Sequence, residues 1–267
     1  MEQKTKINVP LVLMSDREII EQLQAFDPIS LQEMDRVKLM NRIDTKFAFD
    51  KNTLIQILPL LNSHYFTLAI EGKRALDYES LYFDDEFFTL FHDHHNRRTN
   101  RYKFRIRKYV DSEVFYFEIK HKVKGRTDKL RIPTDGFHDH LHAAELDFIG
   151  EHSHKPYALT AVLSNRFTRI TLVNKTANER LTLDFNLTFN NELKSIELSE
   201  LVIGELKQTK LNRNSVFYQL MKSLHLRPYR LSKYCLGAIA LVGKEKLKYN
   251  RFKKKLMYLE KINSHAA

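Results

Sequence analysis

The sequence predicts an α+β fold: an eight-stranded antiparallel β-barrel that encloses a basic tunnel, with flanking helices packed outside. Two observations lead to this fold class. About eight segments alternate with the period of a strand, and they lack the regular strand–helix alternation of a parallel sheet. In several of them the polar face is strongly basic. With 267 residues, 43% of them hydrophobic, the chain can bury a core, which excludes a mainly disordered protein.

The hydrophobic period predicts the elements in order. Residues 15–40 are predicted to be helical with an interruption at Pro28, and the period changes to two from Asn41 onward. Further helices are predicted at 51–62, at 213–224 and from 232 onward, and further strands at 74–83, 100–109, 114–122, 130–133, 167–174, 180–189 and 198–207. Because no linker composition interrupts the chain, we expect a helical preface at 1–35, one main domain at 36–243, and a basic helix and tail at 244–267.

The charge balance favours a polyanionic partner. The 44 Lys and Arg residues outnumber the 33 Asp and Glu residues, which gives a net charge of +11 and suits nucleic acid, anionic lipid or phosphate chains. The single cysteine, Cys235, excludes an intrachain disulfide. No apolar stretch approaches the roughly 20 residues of a membrane helix, and the amino terminus lacks the order of a secretory signal. We therefore expect a cytoplasmic protein.

One predicted strand carries four cations on a single face. Arg101, Lys103, Arg105 and Arg107 alternate with an apolar face, and at ~3.3 Å per residue their charges lie within ~20 Å and repel one another. Similar alternation recurs at Arg42, Asp44 and Lys46, at Glu118, Lys120 and Lys122, at Lys129 and Arg131, at Arg180, Thr182 and Asp184, and at Glu205 and Lys207. If these strands share a closed sheet, their cations line a tunnel and helices must cover the apolar faces.

Phosphate is the anion that fits such a tunnel best. Guanidinium groups bind phosphate oxygens through parallel hydrogen bonds, and lysines add point charges. A carboxylate in these surroundings is a candidate ligand for a divalent metal that bridges phosphates. Glu205 and Glu118 are the candidates.

The ordered motifs resemble the VTC (vacuolar transporter chaperone) polyphosphate polymerase domain over about residues 36–243. The motifs are Arg42-Ile43-Asp44-Thr45-Lys46-Phe47, Ser80-Leu81-Tyr82-Phe83-Asp84, Arg101 to Tyr109, Phe117-Glu118-Ile119-Lys120, Phe167 to Thr171, Arg180 to Asp184, Gly204-Glu205-Leu206-Lys207 and Leu231-Ser232-Lys233-Tyr234. This resemblance implies the triphosphate tunnel metalloenzyme (CYTH-like) superfamily. It also implies an activity, the transfer of the γ-phosphate of ATP onto inorganic polyphosphate with Mn²⁺ or Mg²⁺. Asp44 departs from the family, which usually has Glu there.

The resemblance assigns roles to residues that match the family motifs. It implies phosphate ligands at Lys46, Arg105, Arg107, Lys120, Arg131, Arg169, Arg180, Lys207 and Lys233, and a metal ligand at Glu205. Of these, Lys46, Arg105, Arg107 and Lys207 are our predicted catalytic residues. The strand faces add Arg42, Arg101, Lys103 and Lys129 as phosphate-binding candidates and Glu118 as a second metal candidate. In eukaryotes the family domain is joined to a sensor domain and membrane helices, so a membrane partner protein is a further expectation here.

Other functions stay open at this point. On the same fold, attack by water would give an inorganic triphosphatase or a nucleoside triphosphatase. A non-catalytic module that binds polyphosphate or nucleic acid is also compatible with the charge, although the aromatic residues of 101–109 fall on the face opposite the cations, unlike those of single-strand binding sheets. His138, His140 and His142 alternate but lack the spacing of a zinc protease, and we do not predict a metal site there. The basic residues of 244–261 predict an amphipathic helix docked on the barrel, with contact to anionic lipid as the alternative.

Overall fold

A computed structural model describes residues 11–36, 42–124 and 126–264 of the chain. The helices are α1 Leu11–Leu23, α2 Leu31–Arg36, α3 Lys51–Leu61, α4 Thr89–His95, α5 Ala143–His152, α6 Val216–Ser223, α7 Lys233–Val242 and α8 Lys253–Ser264. The strands are β1 Pro28–Ile29, β2 Ile43–Asp50, β3 Tyr65–Leu68, β4 Ala75–Asp84, β5 Arg101–Tyr109, β6 Val114–Val123, β7 Arg126–Thr134, β8 Thr160–Asn174, β9 Glu179–Asn190, β10 Ser195–Leu198 and β11 Leu201–Gln208. No helix in these described ranges is both long and apolar enough to span a membrane.

The strands form an 11-stranded sheet in the order β2-β11-β9-β8-β4-β5-β6-β7, with β1, β3 and β10 paired off this path. The predicted α+β class is confirmed, but the predicted closed eight-stranded barrel is wrong. Within the described residues β2 and β7 end the order and do not pair with each other, so the sheet is open. Alternation along a strand specifies its polar face, whereas closure depends on tilt and stagger across the sheet, which that alternation does not encode.

Most predicted elements are confirmed, and the differences have simple causes. β8 begins at Thr160, whereas the predicted strand begins at 167. The first residues of β8 mix polar and apolar types without regular alternation, so their sequence did not indicate a strand. The sequence did not predict β1, β3 and β10, which have two to four residues each, or the helices α4 and α5. The predicted helical residues 37–40 and the predicted strand start at Asn41 lie outside the described residues.

The first of two compact units contains residues up to 75, 170–183 and 199–228. In it, β2 pairs antiparallel with β11, and α6 covers the apolar face of this pair. Phe217 of α6 contacts Phe47 edge-on, with 5.6 Å between ring centroids. A Cβ atom at Gly204 would lie only 2.9 Å from Phe217 Cζ. Glycine is therefore required where α6 approaches β11.

The second unit contains residues 76–169, 184–198 and 229 onward. Its strands β4, β5, β6 and β7 form an antiparallel meander. Tyr102, Phe104 and Ile106 point from β5 into a core that includes Ile149 of α5. The prediction that a helix covers the apolar face of this strand is confirmed, and the alternating cations are left on the other face. In α8 the apolar side chains Leu256, Leu259 and Ile262 are buried, as expected for a docked amphipathic helix.

Candidate functional site

The β4–β7 meander aligns its polar side chains across one face. Arg105 lies directly opposite Tyr82 of β4 and Glu118 of β6. Two residues along β5, on the same face, a row crosses three strands and consists of Lys103, Lys120 and Lys129. Directly opposed side chains have Cβ atoms ~4.5–5.5 Å apart, so the like charges of this lysine row repel one another. An anion that bridges the row relieves this repulsion.

Glu118 holds two of these cations in a group that we call the Glu118 cluster (Arg105, Glu118 and Lys129). Arg105 donates from Nε and Nη2 to Glu118 Oε2 over 2.8 and 2.5 Å, and Lys129 Nζ lies 2.6 Å from Oε1. Burial alone raises the pKa of Glu118, but the surrounding cations, Arg105 first, lower it well below its usual range. Burial lowers the pKa of Lys129 to about 8, because the attraction to Glu118 offsets it only in part.

A second group, the Asp184 cluster (Arg169, Asp184 and Lys233), repeats this composition. Arg169 donates from Nε and Nη2 to the two Asp184 oxygens over 2.5 and 2.7 Å, and Lys233 Nζ donates to Oδ2. Burial opposes the charge of Asp184, yet Arg169 and Lys233 lower the pKa of this carboxyl below its usual range. The pKa of Lys233 is lowered to about 7, because burial and the repulsion of Arg169 lower it by more than the attraction of Asp184 raises it.

Two aromatic rings lie beside the Asp184 cluster. Tyr78 and Phe167 stack with 5.4 Å between centroids and 6° between planes. Arg169 Cζ lies 5.0 and 5.1 Å from these two centroids, and Lys233 Nζ lies 3.8 Å from that of Phe167. The ring faces attract the cations and restrict their movement without neutralising their charge.

Arg107 is a buried cation of this face that contacts two aromatic rings and a neutral hydroxyl. Its Cζ lies 5.5 Å from the Tyr78 centroid and 5.6 Å from that of Phe167, and its Nε donates to the neutral Ser80 hydroxyl over 3.2 Å. Only 5% of the residue is exposed. Burial and the neighbouring Arg105 lower the pKa of Arg107, although a guanidinium stays protonated in proteins. Within the described part of the chain, no carboxylate lies within ion-pair distance of it. A buried cation in this situation calls for an anionic ligand.

The first unit contains a third group of the same composition, the Glu205 cluster (Lys46, Glu205 and Lys207). Lys46 lies opposite Glu205 in the β2–β11 pair, and its Nζ is 3.2 Å from Glu205 Oε1. Lys207 Nζ lies 2.9 Å from Oε2 and donates to the Thr182 hydroxyl over 2.9 Å. The Glu205 side chain is 18% exposed, so that it is accessible to a ligand from solvent.

The Glu205 cluster fits a divalent cation of the Mg²⁺ or Mn²⁺ type. Mg²⁺ is usually held by one or two carboxylates, with substrate phosphate oxygens and water completing the shell. Glu205 supplies one such carboxylate, and Lys46 and Lys207 beside it attract the phosphate that would supply the rest. Cations contact both oxygens of Glu118 as they do those of Glu205, but Glu118 fits less well because it is fully buried. The assignment of both residues as metal ligands stays a prediction.

The remaining predicted residues lie around these clusters or apart from them. Arg131 lies opposite Glu118 on the edge strand β7, with its Cζ 4.3 Å from the Tyr116 centroid. Arg101 donates to His94 Nδ1 over 3.2 Å. The exposed Arg42 contacts Asp44 over 3.0 Å, and Arg180 donates to the Met34 carbonyl over 3.1 Å. Their roles in phosphate binding stay predictions.

No role was predicted from the sequence for Asp184 or for the Tyr78–Phe167 pair. A signal for Asp184 was present, since it alternates with Arg180 and Thr182 along β9 and therefore shares their face. The aromatic pair left no such signal. Tyr78 and Phe167 are separated by most of the second unit in sequence, and each resembles an ordinary core residue.

Comparison with known proteins agrees with these motifs. The family model described as the VTC domain matches residues 41–242. No curated protein gave a significant match. Among solved structures, a candidate adenylate cyclase from Bacillus halodurans is 16% identical with a TM-score of 0.43, covering 72% of this chain and 96% of its own. A conserved hypothetical protein from Pyrococcus furiosus is 13% identical with a TM-score of 0.41, covering 73% of this chain and 99% of its own. At these scores the similarity assigns no activity to the chain.

Proposed function

The chain belongs to the VTC domain family, and from this premise we propose that it is a metal-dependent polyphosphate polymerase that transfers the γ-phosphate of ATP onto an inorganic polyphosphate chain. The observation that carries the proposal is the buried Arg107 guanidinium, whose hydrogen-bond acceptor is the neutral Ser80 hydroxyl. The same unit also contains the Glu118 and Asp184 clusters, in each of which cations outnumber the carboxylate. A triphosphate group supplies the density of negative charge that this arrangement favours.

The proposed reaction needs little covalent participation from the protein. An oxygen of the terminal phosphate of the acceptor attacks the γ-phosphorus of ATP, a new P–O bond forms, and the bond to ADP breaks as ADP leaves. The attacking oxygen is already ionised near neutral pH, so no general base is required. Arg105, Arg107 and Arg169 bind and orient the nucleotide phosphates, and they stabilise charge that develops during transfer.

The Glu205 cluster has a different role in this proposal. Lys46 and Lys207 bind polyphosphate oxygens at the Glu205 cluster, and in the second unit Lys120 binds phosphate oxygens at the lysine row. Glu205 would hold Mn²⁺ or Mg²⁺, which when bound neutralises phosphate charge. Thr182 restrains Lys207 through the hydrogen bond that it accepts.

The test is incubation of the protein with ATP and Mn²⁺, followed by separation of long phosphate chains on a gel. We expect Arg107→Met to lower the rate of chain formation ~10²–10³-fold, as loss of one electrostatic ligand does elsewhere. Glu205→Gln should abolish turnover while it leaves the affinity for tripolyphosphate similar or stronger, because it removes a negative charge. Glu197→Gln, at an exposed position of β10, is the matched control and should leave both quantities unchanged.

The products distinguish this proposal from its alternatives. Release of orthophosphate without chain growth would contradict a polymerase and indicate a triphosphatase. Anion binding without any turnover, in the presence of Mn²⁺ and Mg²⁺ in turn, would indicate a binding module.

A further inference from the structure

The loop between β7 and α5 brings together three metal-ligating side chains that lie outside the clusters described above. Asp135, His138 and His142 each offer one ligand atom, and these atoms lie within 4.8 Å of one another. Asp135 Oδ1 is 3.9 Å from His138 Nδ1 and 3.8 Å from His142 Nδ1. These separations are too long for hydrogen bonds. They approach the ~3.3–3.6 Å between ligand atoms that share one tetrahedral cation at bond lengths of ~2.0–2.2 Å.

Glu145 of α5 fixes which nitrogen of His138 is available. Glu145 is 2% exposed, and its carboxylate accepts from the Thr134 hydroxyl over 2.6 Å and from the His142 backbone N–H over 2.8 Å. His138 Nε2 lies 2.7 Å from the same carboxylate. An ionised carboxylate only accepts hydrogen bonds, so Nε2 must carry the proton. In the neutral ring, the lone pair is therefore on Nδ1, toward Asp135.

With the proton on Nε2, His138 Nδ1 and Asp135 Oδ1 are two acceptors 3.9 Å apart, and a cation shared between them would satisfy both. A histidine that donates its other ring N–H to a carboxylate is also the usual arrangement around protein-bound metals, because the carboxylate orients the ring and makes the ligating nitrogen more basic. Here the buried Glu145 supplies that partner. The His138 and His142 rings stack with 3.8 Å between centroids, and the His142 side chain, 55% exposed, has room to turn toward a shared ion.

We propose that Asp135, His138 and His142 form a zinc site with Glu145 as its supporting carboxylate. Two imidazole ligands favour Zn²⁺ over Mg²⁺ or Mn²⁺, which prefer oxygen ligands. Three protein ligands leave a fourth position for water. The ion would tie the loop that follows β7 to the first turn of α5. This site is distinct from the proposed metal position at Glu205, and it does not depend on the polymerase proposal.

The test is calorimetric titration of the metal-free, full-length protein with Zn²⁺ in excess Mg²⁺, with Co²⁺ as a spectroscopic probe. We expect one site per chain, and Co²⁺ bound there should show the visible absorption of a tetrahedral ion. Asp135→Asn and His142→Ser should each weaken Zn²⁺ binding by more than the ~10–100-fold that loss of an outer-shell partner costs. Both positions are exposed, and Ser is a good N-cap at the start of α5, so both variants should fold.

His140→Ala is the matched control, because His140 lies in the same loop but outside the cluster, and it should bind Zn²⁺ as the unaltered chain does. Glu145→Gln should weaken binding ~10–100-fold, with circular dichroism to confirm folding. Three results would overturn the proposal: no Zn²⁺ binding by the folded protein, an equal loss in His140→Ala, or full binding in His142→Ser and Asp135→Asn. An octahedral Co²⁺ spectrum would also contradict it.

Discussion

Replacement of Glu118 by Gln tests whether the second unit is built to hold an anion. The amide keeps the size of the side chain but removes the charge that compensates Arg105 and Lys129. Glu118 is fully buried, and the side chain of Arg105 is only 7% exposed. Breaking a buried ion pair by removing one partner costs about 3–5 kcal/mol, since the remaining charge stays buried. At ~2–3 °C per kcal/mol for a chain of this size, we expect Tm to fall by about 6–15 °C.

The pH dependence of this loss follows from Lys129. Its pKa, about 8 because burial outweighs the attraction of Glu118, already lies below the unfolded value, and it should fall further in Glu118→Gln. Between the two values the unfolded chain binds more protons than the folded chain, so stability rises with pH. The difference in Tm between the variant and the unaltered protein should therefore be largest below the lowered pKa of Lys129 in the variant and shrink as the pH rises to about 8. Above pH 8 it should change little, because Lys129 is then mostly deprotonated in both folded chains.

The assay is thermal unfolding with and without tripolyphosphate. An anion at 100 times its Kd stabilises a protein by about 2.7 kcal/mol, and Glu118→Gln should gain more than the unaltered chain, because the anion replaces the missing carboxylate. Glu21→Gln is the control, since its pair with Arg17 is exposed on both sides and contributes little. The reasoning is wrong if Tm falls no further in Glu118→Gln than in this control. It is also wrong if tripolyphosphate raises the Tm of Glu118→Gln no more than that of the unaltered chain.

Other perturbations test the remaining parts of the structure. The pKa of Lys233, about 7 because burial outweighs the attraction of Asp184, should rise when a polyanion binds. Binding at pH 8 should therefore take up protons, which calorimetry in buffers of different ionisation enthalpy measures, and Lys233→Met should take up fewer. Asp184→Asn should bind tripolyphosphate more tightly at low salt and have a lower Tm, because Arg169 and Lys233 lose their shared counter-charge; an unchanged affinity would show that the anion binds elsewhere. Gly204→Ala should cost ~1–3 kcal/mol by denaturant unfolding, because its Cβ would lie 2.9 Å from Phe217 Cζ. Gly150→Ala, with no atom within 4 Å of the added Cβ, should be neutral or stabilising.

Strand alternation predicted the composition of the basic face but not its pairing. The period of two placed Arg105 and Arg107 on one face and Phe104 and Ile106 on the other, because neighbouring side chains of a strand point to opposite sides. The register that sets Arg105 against Glu118 depends on turn length and on contacts across strands, which one strand does not specify. The same limit explains the wrong prediction of a closed barrel, since closure involves strands that are distant in sequence.

The histidine loop shows a different limit. His138 lies before α5 and His142 at its N-cap, so a pattern for residues within one helix did not predict that they meet. Their contact depends on Glu145, whose carboxylate accepts hydrogen bonds from the His138 side chain and from the His142 backbone N–H. A capping residue on the first turn of a helix is read from sequence as local stabilisation. The second role of Glu145, orienting His138, depends on the fold of the loop between β7 and α5, which the capping pattern does not specify.

The Glu118, Asp184 and Glu205 clusters share one composition, a carboxylate held between two cations. A face made only of cations would be strongly self-repelling, and its long side chains would be disordered before a ligand arrived. One acid for every two cations fixes the position of both and still leaves a net positive charge. The side chains of Arg169 and Lys233 are therefore ordered in advance by Asp184, which reduces the entropy lost when phosphate binds. In each of the three clusters the carboxylate thus serves to position its two cations, and replacing it should lower stability without lowering the affinity for anions.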